Sequence, residues 1–189
     1  MQWLYIHGFN SSSLSGKAQE TKRYLAANDR EADWLCPDLP HQPNQAIQQL
    51  STLIEQCTEP PALIGSSLGG FYATVLVARF NLKAVLINPA VHPAQLLQPL
   101  VNTTQKAWYS DSTYTFTQTH IDELLALNLP TPLYPNNILM MQEKGDEVLD
   151  WTKATKYYHD CHQLVFNGGD HGFTRYRMVL ELIQGFLEN

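Results

Sequence analysis

The fold can be inferred from one segment of the chain, Ala62-Leu63-Ile64-Gly65-Ser66-Ser67-Leu68-Gly69-Gly70. It runs from a short apolar strand candidate into a nearly all-apolar helix candidate over residues 71–80. Residues 65–69 form a G-x-S-x-G pattern, which at a strand-to-helix junction holds a serine on a sharp, strained turn. The glycines fit this arrangement because small residues let the strand and the helix approach each other. Ser67 is therefore predicted to be a nucleophile.

Two simpler explanations compete with this interpretation. Glycine and serine are common residues, so the pattern alone could mark a plain turn. The other alternative is a glycine-rich phosphate loop, but no Gly-Lys-Ser or Gly-Lys-Thr follows, which excludes a P-loop. The position between a strand and a helix favours the nucleophile.

Apolar runs of similar length occur on both sides of this junction. They are continuous rather than alternating, which is typical of strands that are buried on both faces. Strands are predicted at residues 3–6, 33–36, 62–64, 83–87, 137–141 and 163–166, and helices at residues 17–27, 46–57, 71–80 and 173–187. This alternation predicts an α/β fold, a three-layer sandwich with a mostly parallel sheet of about six strands.

Residues 91–135 interrupt the alternation, because no strand is recognisable between Pro89 and Pro135. A connection of this length within a compact domain is usually functional or has structure of its own. Open α/β sheets bind ligands at the carboxyl ends of their strands. We therefore interpret the segment as a cap-like insertion at that edge, within one domain that spans residues 1–189. An ordinary surface excursion is the alternative.

A serine hydroxyl needs a general base, and His171 is the best placed of the seven histidines. It lies in Gly168-Gly169-Asp170-His171-Gly172, between the last strand candidate and the last helix candidate. The other histidines fall beside the first strand, in connections or in the insertion: His7, His41, His92, His120, His159 and His162. His159 and His162 flank Cys161, but a recognisable metal-ligand spacing is missing, so an exposed loop is the preferred interpretation.

The histidine in turn needs a carboxylate that fixes its tautomer, and Asp146 directly follows the fifth strand candidate. Serine, acid and histidine then occur in an order known for such triads, as Ser67, Asp146 and His171. Glu147 and Asp150 are neighbouring carboxylates that could be mistaken for the acid, and Asp146 could instead cap a helix that begins near Val148. Asp170 is adjacent to His171, and adjacency usually points a side chain elsewhere.

A developing oxyanion needs two backbone donors. One candidate is the N–H of Leu68, which follows Ser67 at the start of the helix. The other is the N–H of Phe9 in His7-Gly8-Phe9-Asn10, the loop after the first strand, where Gly8 lets the backbone come close to a substrate. His-Gly is also a common turn, but its coincidence with the other motifs favours an oxyanion loop.

Together these segments resemble the α/β-hydrolase superfamily and, more closely, the YqiA-like esterase family of small bacterial hydrolases. The matching segments are His7-Gly8-Phe9-Asn10-Ser11-Ser12, Pro37-Asp38-Leu39-Pro40, Gly65-Ser66-Ser67-Leu68-Gly69-Gly70, Asn88-Pro89-Ala90-Val91, Gly145-Asp146-Glu147-Val148-Leu149-Asp150 and Gly168-Gly169-Asp170-His171. The resemblance spans nearly the whole chain. It implies the α/β-hydrolase fold, a catalytic triad of Ser67, Asp146 and His171, and hydrolysis of carboxylic esters or thioesters.

Some features of this chain depart from the pattern that the resemblance implies. The first strand leads directly into the oxyanion loop, which normally follows the third strand of the full fold. The first two strands of that fold are therefore expected to be absent. His92 stands where a basic residue is expected, and the cap sequence differs. These departures leave the triad intact and concern substrate preference.

The composition excludes several other classes of protein. The chain has 189 residues with 12 Lys and Arg against 18 Asp and Glu, a formal charge of −6. Nucleic acid is not expected as a partner, because binding to the phosphate backbone needs a basic footprint. No apolar run approaches the roughly 20 residues that span a bilayer, so no membrane association is expected. Three cysteines without a C-x-x-C pair fit a reducing, cytoplasmic location.

The sequence therefore predicts a cytoplasmic serine esterase for a small-molecule ester or thioester, without a metal or organic cofactor. Trp108, Tyr109 and Asn10 are candidate substrate contacts, and the aromatic, neutral cap favours apolar acyl groups. Thioester hydrolysis, acyl transfer and lactone opening remain alternatives at the same site. A non-catalytic binding protein that keeps the fold, and an interaction module that uses the aromatic cap, remain alternatives of other classes. The oligomeric state stays open.

Overall fold

The computed structural model describes residues 1–189. Its eight strands are β1 (Trp3–Ile6), β2 (Trp34–Leu35), β3 (Ala62–Ser66), β4 (Ala84–Ile87), β5 (Thr103–Lys106), β6 (Thr113–Phe116), β7 (Ile138–Glu143) and β8 (His162–Phe166). Six of them form one sheet in the order β2-β1-β3-β4-β7-β8, and every neighbouring pair is parallel. The remaining two, β5 and β6, form a separate antiparallel hairpin.

Helices cover both faces of the six-stranded sheet. They are α1 (Gly16–Ala27), α2 (Pro43–Gln56), α3 (Leu68–Phe80), α4 (Pro93–Leu97), α5 (Gln118–Leu127), α6 (Trp151–Tyr157) and α7 (Leu180–Glu188). The cores of α2, α3, α5 and α6 belong to one apolar cluster, and those of α1 and α7 to another. None of the helices is both long and apolar enough to cross a lipid bilayer. The predicted three-layer α/β sandwich is confirmed.

The central strands explain why continuous apolar runs were a reliable signal. All four residues of β1 are buried, with Leu4 and Ile6 in one apolar cluster and Trp3 and Tyr5 in the other. Successive side chains of a strand point to opposite faces, so a strand that is covered on both faces needs apolar residues at every position. β3 and β4 are buried over their whole length in the same way.

Most predicted elements differ from the structure by one to three residues at an end, and two of the differences bear on the site. β7 continues past the predicted end at residue 141, which brings Gln142 and Glu143 into the interior. The C-terminal helix predicted over residues 173–187 begins instead as a 3₁₀ turn at Tyr176–Val179 and continues as α7. The last two residues of β7 are polar, so the apolar run that predicted this strand ends at residue 141. The end of β7 also carries a carboxylate towards the carboxyl edge of the sheet.

The expectation that the insertion contains no strand is wrong, because β5 and β6 lie within residues 91–135. Thr103 pairs with Phe116 and Lys106 pairs with Thr113 in this hairpin. Of its eight strand residues, Phe116 alone is buried, so the hairpin has no apolar face that periodicity could reveal. The available signal was the enrichment in threonine, a β-branched residue that favours strands.

Candidate active site

Ser67 lies between β3 and α3 with φ 55° and ψ −120°, a conformation that few residues other than glycine adopt. A Cβ atom on Gly69 would overlap the carbonyl group of Ile6, and one on Gly65 would overlap the carbonyl group of Gly69. Both glycines are therefore required by the close approach of strand and helix. The strained turn places Ser67 in the wall of a cavity at the carboxyl edge of the sheet.

His171 and Asp146 reach this site from the loops that follow β8 and β7. The Nε2 atom of His171 is 3.2 Å from Oγ of Ser67, and its Nδ1 atom is 2.9 Å from Oδ2 of Asp146. These distances assign a tautomer in which Nδ1–H donates to the carboxylate and Nε2 accepts from the Ser67 hydroxyl. The structure brings together the three residues that the sequence analysis selected.

The carboxylate of Asp146 is held in its charged form. Its side chain is fully buried, and burial raises the pKa. Hydrogen bonds from His171 and from the N–H groups of Leu149 and Val148 outweigh this effect, so the pKa of Asp146 lies below its ordinary value. An anion at this position would stabilise a positive charge on the His171 ring.

Asp150 and Asp170 do not take the place of Asp146 at the His171 ring. α6 begins at Trp151, and its N-cap is Asp150, whose Oδ1 accepts a hydrogen bond from the N–H of Thr152. Asp146 is therefore not the cap of this helix. Asp170 makes no side-chain hydrogen bond to the His171 ring, and its buried Oδ1 atom has no partner in the protein.

Phe9 and Leu68, the two predicted oxyanion donors, lie beside Ser67. The N–H of Phe9 donates to no acceptor in the protein. Leu68 is the first residue of α3, so the helix supplies no acceptor for its N–H. Gly8 packs the loop after β1 against Ser67, because a Cβ atom there would lie 3.2 Å from Cβ of Ser67. Both predicted donors border the cavity that contains Ser67.

The cavity over Ser67 and His171 has a volume of about 550 Å³. Trp108 and Tyr109, at the tip of the β5–β6 hairpin, form part of its wall, and α4 adds apolar surface through Leu96. Trp108 is 71% exposed, so it stands at the rim rather than inside the protein. The insertion therefore borders the site and makes one of its walls largely apolar.

Asn10, the third candidate substrate contact, connects the hairpin to the oxyanion loop. Its Oδ1 atom accepts a hydrogen bond from the Tyr114 hydroxyl at 2.7 Å, and its Nδ2 donates to Gln105 at 3.2 Å. Its backbone carbonyl accepts from the N–H of Trp108 at 2.8 Å. Asn10 lines a smaller adjoining cavity of about 160 Å³. Its side-chain amide is engaged by the hairpin, and a contact with substrate stays a prediction.

His7 is buried beside the loop after β1 and makes no hydrogen bond to Ser67, Asp146 or His171. Its Nε2 atom accepts from the N–H of Leu39 at 3.1 Å, and its Nδ1 lies 3.0 Å from the carbonyl oxygen of Gly8. Burial lowers the pKa of His7, which favours the neutral ring. A neutral His7 ties the oxyanion loop to the segment after β2.

The histidine loop, residues 168–175, is held by two residues that the sequence analysis missed as site residues. Asn88, after β4, donates from Nδ2 to the carbonyl group of Asp170 at 2.9 Å. Glu143, the last residue of β7, accepts the N–H of Asp170 at 2.8 Å. Each is a polar residue at the end of an apolar run, which was the available signal.

Lys17 supports the same loop from the start of α1. Its Nζ atom donates to the carbonyl group of Gly172 at 2.8 Å. Burial lowers the pKa of Lys17, although the carboxylates of Asp170 and Glu20 act in the opposite direction. Apart from His171, it is the one basic side chain in the cavity wall.

No three His, Cys, Asp or Glu side chains come together in a way that could hold a metal ion. His159 is exposed and lies 3.1 Å from Asp160, whereas Cys161 is buried. His162 is the first residue of β8 and is exposed. The prediction of an exposed loop around Cys161 is therefore wrong for His162, which lies in a strand.

A serine on a strained strand-to-helix turn, with an aspartate and a histidine after the last two strands of a parallel sheet, defines the α/β-hydrolase fold. Est1E from Butyrivibrio proteoclasticus is similar over 99% of this chain and 86% of its own, with a TM-score of 0.74 and 14% identity. The mouse alpha/beta hydrolase domain-containing protein 10 also has a TM-score of 0.74 and 14% identity, over 99% and 89% of the two chains. An esterase domain from Rhodothermus marinus has a TM-score of 0.70 and 16% identity, over 98% and 85%.

The chain belongs to the uncharacterised protein family UPF0227, whose model matches residues 2–188. A UPF0227 protein of Vibrio cholerae serotype O1 is 21% identical over 186 residues, which cover 97% of each chain. A relative from Vibrio atlanticus is 22% identical over 187 residues, again 97% of each chain. The predicted α/β-hydrolase fold and YqiA-like family are confirmed.

Proposed function

We propose that this protein is a serine hydrolase that cleaves carboxylic esters through an acyl-enzyme intermediate. The observation that carries the proposal is the His171 ring, which lies 3.2 Å from the Ser67 hydroxyl and 2.9 Å from Asp146. A serine hydroxyl is a weak nucleophile, and this chain of hydrogen bonds is the arrangement that activates it. The esterase domain named among the structural neighbours supports the same class for this chain.

The first half of the reaction acylates Ser67. His171 accepts the hydroxyl proton at Nε2 as Oγ attacks the ester carbonyl carbon. The negative charge that develops on the carbonyl oxygen is stabilised by the N–H groups of Phe9 and Leu68. His171 then donates its proton to the leaving alcohol, and the bond between the carbonyl carbon and the alcohol oxygen breaks.

The second half releases the acid. His171, again neutral, takes a proton from water as the water oxygen attacks the acyl carbon of the acyl-enzyme. The same two N–H groups receive the second oxyanion, and His171 returns the proton to Oγ of Ser67 as the bond between the acyl carbon and Oγ breaks. Asp146 keeps Nδ1 protonated throughout and stabilises the imidazolium in both halves.

The substrate we propose is an ester with an apolar acyl group. Trp108, Tyr109 and Leu96 present apolar surface to the cavity next to Ser67. Burial of an acyl chain against such a wall is favourable by about 25 cal/mol per Å² of apolar surface removed from water. Oxygen esters and thioesters form the same acyl-enzyme, so a rate comparison is needed to decide whether the leaving atom is oxygen or sulfur.

The test is active-site labelling combined with hydrolysis. A fluorophosphonate probe should label the wild-type protein, and Ser67→Ala should lose both the label and ester turnover while it stays folded by circular dichroism. Ser66→Ala is the matched control, since the neighbouring serine occupies the unreactive position of the motif, and it should keep both. Turnover that survives in Ser67→Ala would remove Ser67 from the mechanism.

A panel of p-nitrophenyl esters and matched acyl thioesters of increasing chain length tests the substrate class. We expect kcat/KM to rise from acetyl to longer acyl groups, because more apolar surface is buried against the hairpin. The ratio between matched oxygen esters and thioesters then assigns the leaving atom. A flat chain-length profile would contradict the apolar acyl site.

A further inference from the structure

A buried carboxylate at the end of β7 has no task in the mechanism described above. The Glu143 side chain has no solvent exposure. A buried charge is costly unless it is paired and hydrogen-bonded. Its partner is Arg175, whose Nη1 donates to Oε1 at 2.6 Å. This ion pair connects the central sheet to the histidine loop.

The carboxylate binds the histidine loop on both sides of His171. Its Oε2 atom accepts the N–H of Asp170 at 2.8 Å and the N–H of Thr174 at 3.2 Å. The loop backbone is packed directly on the carboxylate, because a Cβ atom on Gly169 would overlap it. Glycine at this position also accommodates a φ of +77°. The backbone on both sides of His171 therefore depends on the Glu143 carboxylate, while the N–H of His171 itself donates to Oε2 of Glu147 at 3.0 Å.

The backbone of Glu143 is bound to the acid side of the triad. Its carbonyl oxygen accepts the N–H of Asp146 at 3.3 Å. Its N–H donates to Oδ1 of Asn88 at 2.9 Å, and Nδ2 of Asn88 donates to the carbonyl group of Asp170. Glu143 therefore contacts the turn at Asp146 through its backbone and the histidine loop through its side chain.

We propose that Glu143 is a positioning residue that sets His171 relative to Asp146 and Ser67. It acts through the backbone of the histidine loop and touches no reacting atom. The inference rests on the proposed function, since it concerns the geometry of the same triad. A displacement of about 1 Å at a reacting group is enough to cost about 100-fold in rate. Loss of the Glu143 contacts should therefore lower kcat rather than substrate binding.

Glu143→Gln is the direct test. Glutamine keeps the shape, but its amide nitrogen brings donor hydrogens towards groups that are themselves donors, from Asp170, Thr174 and Arg175. The fluorophosphonate probe counts the reactive sites, and kcat is expressed per reactive site. We expect this kcat to fall ~10–100-fold in Glu143→Gln, while KM stays unchanged. Glu181→Gln, an exposed glutamate at the start of α7, is the matched control and should behave as wild type.

Substitution of the partner provides a second, independent measurement. Arg175→Met leaves Glu143 without its cation and should lower kcat at constant KM. Arg175→Lys restores a positive charge next to Glu143 and should recover most of the lost kcat. Arg177→Met removes an exposed arginine two residues further on and serves as the control. A purely structural role would lower the melting temperature and the fraction of protein that reacts, but not kcat per reactive site.

The outcomes separate this proposal from the proposed function. A wild-type protein that neither reacts with the probe nor hydrolyses esters overturns both. An active wild type, with wild-type kcat per reactive site in Glu143→Gln, overturns the positioning role alone. If Glu143→Gln does not fold, Arg175→Met decides: a wild-type kcat overturns the role, and a reduced kcat that Arg175→Lys recovers supports it.

Discussion

The two oxygens of Asp146 bind both the backbone of its own loop and the ring of His171, the proposed base. Oδ1 accepts the N–H groups of Val148 and Leu149 at 2.9 and 2.8 Å, and both oxygens lie within 3.0 Å of Nδ1 of His171. Asparagine could keep the two backbone contacts through its carbonyl oxygen. Its NH₂ group, however, would face Nδ1 of His171 as a donor, which selects the tautomer that cannot accept the serine proton.

We therefore expect Asp146→Asn to lower kcat by about 10⁴-fold, as in other serine triads, with little loss of folding. Steady-state ester hydrolysis measures the rate, and the melting temperature reports the fold. Asp170→Asn is the matched control, because Asp170 makes no hydrogen bond to the imidazole. If Asp170→Asn were the damaging change and Asp146→Asn kept activity, the acid would be misassigned.

The residues of the proposed triad could be predicted from the sequence, whereas the residues that hold them in place could not. Ser67 lies in a motif of five consecutive residues whose glycines allow the sharp turn, so the motif can be recognised locally. A nucleophilic serine in turn implies a base and an acid elsewhere in the chain. Glu143 contacts Asp170 across 27 residues, and Asn88 reaches the same residue across 82. Such contacts depend on which strands become neighbours, and no local pattern encodes that.

At the scale of elements, the β5–β6 hairpin links the cavity wall to the oxyanion loop. The Phe9 ring meets the Phe116 ring edge-on, with 5.8 Å between the ring centroids. Asn10 adds hydrogen bonds to Tyr114 and to two further hairpin residues. Because Phe9 supplies a predicted oxyanion donor, the position of the hairpin and the position of that N–H are coupled.

Tyr114→Phe tests this coupling. The substitution removes the hydroxyl that donates to Asn10, and leaving a partly buried acceptor unpaired costs about 1–3 kcal/mol. We expect the hairpin to loosen, so KM for long-chain esters should rise several-fold more than KM for acetyl esters. Thr104→Ala, an exposed position on β5, is the control and should leave both values unchanged. Equal effects on short and long esters would contradict a role for the hairpin in the acyl site.

The candidate active site lies where the order of the strands in the sheet changes direction. The chain passes from β1 outwards to β2 and returns to β3 on the other side of β1. The loops after β1 and β3 therefore run in opposite directions at the carboxyl edge of the sheet and leave a crevice between them. Open α/β sheets bind their ligands at such switch points. Phe9 follows β1 and Ser67 follows β3. The alternation of strands and helices predicted the parallel sheet. It does not encode the order of the strands, because that order depends on the side to which each crossover connection runs.

Stability should depend on pH through histidines that the fold keeps neutral. Burial lowers the pKa of His7 and of His120 from 6.5, and for His120 the neighbouring His41 lowers it further. Between the unfolded value and the lower folded value, the unfolded chain binds more protons than the folded one. Stability is then fully present above pH 6.5 and is lost as the pH falls through this window. The lowered pKa of Asp146 acts in the same direction, but only below its ordinary value of 3.8.

We therefore expect the melting temperature to fall as the pH is lowered from about 7.5 to about 5, before the carboxylates titrate. His120→Gln should make this fall shallower, because glutamine does not titrate, even though it also loses the stacking of His120 on Phe116 at 4.7 Å. His159→Gln, at an exposed position, should keep the wild-type slope. Differential scanning fluorimetry across this pH range measures all three proteins. An unchanged slope in His120→Gln would show that proton binding at His120 is not linked to unfolding.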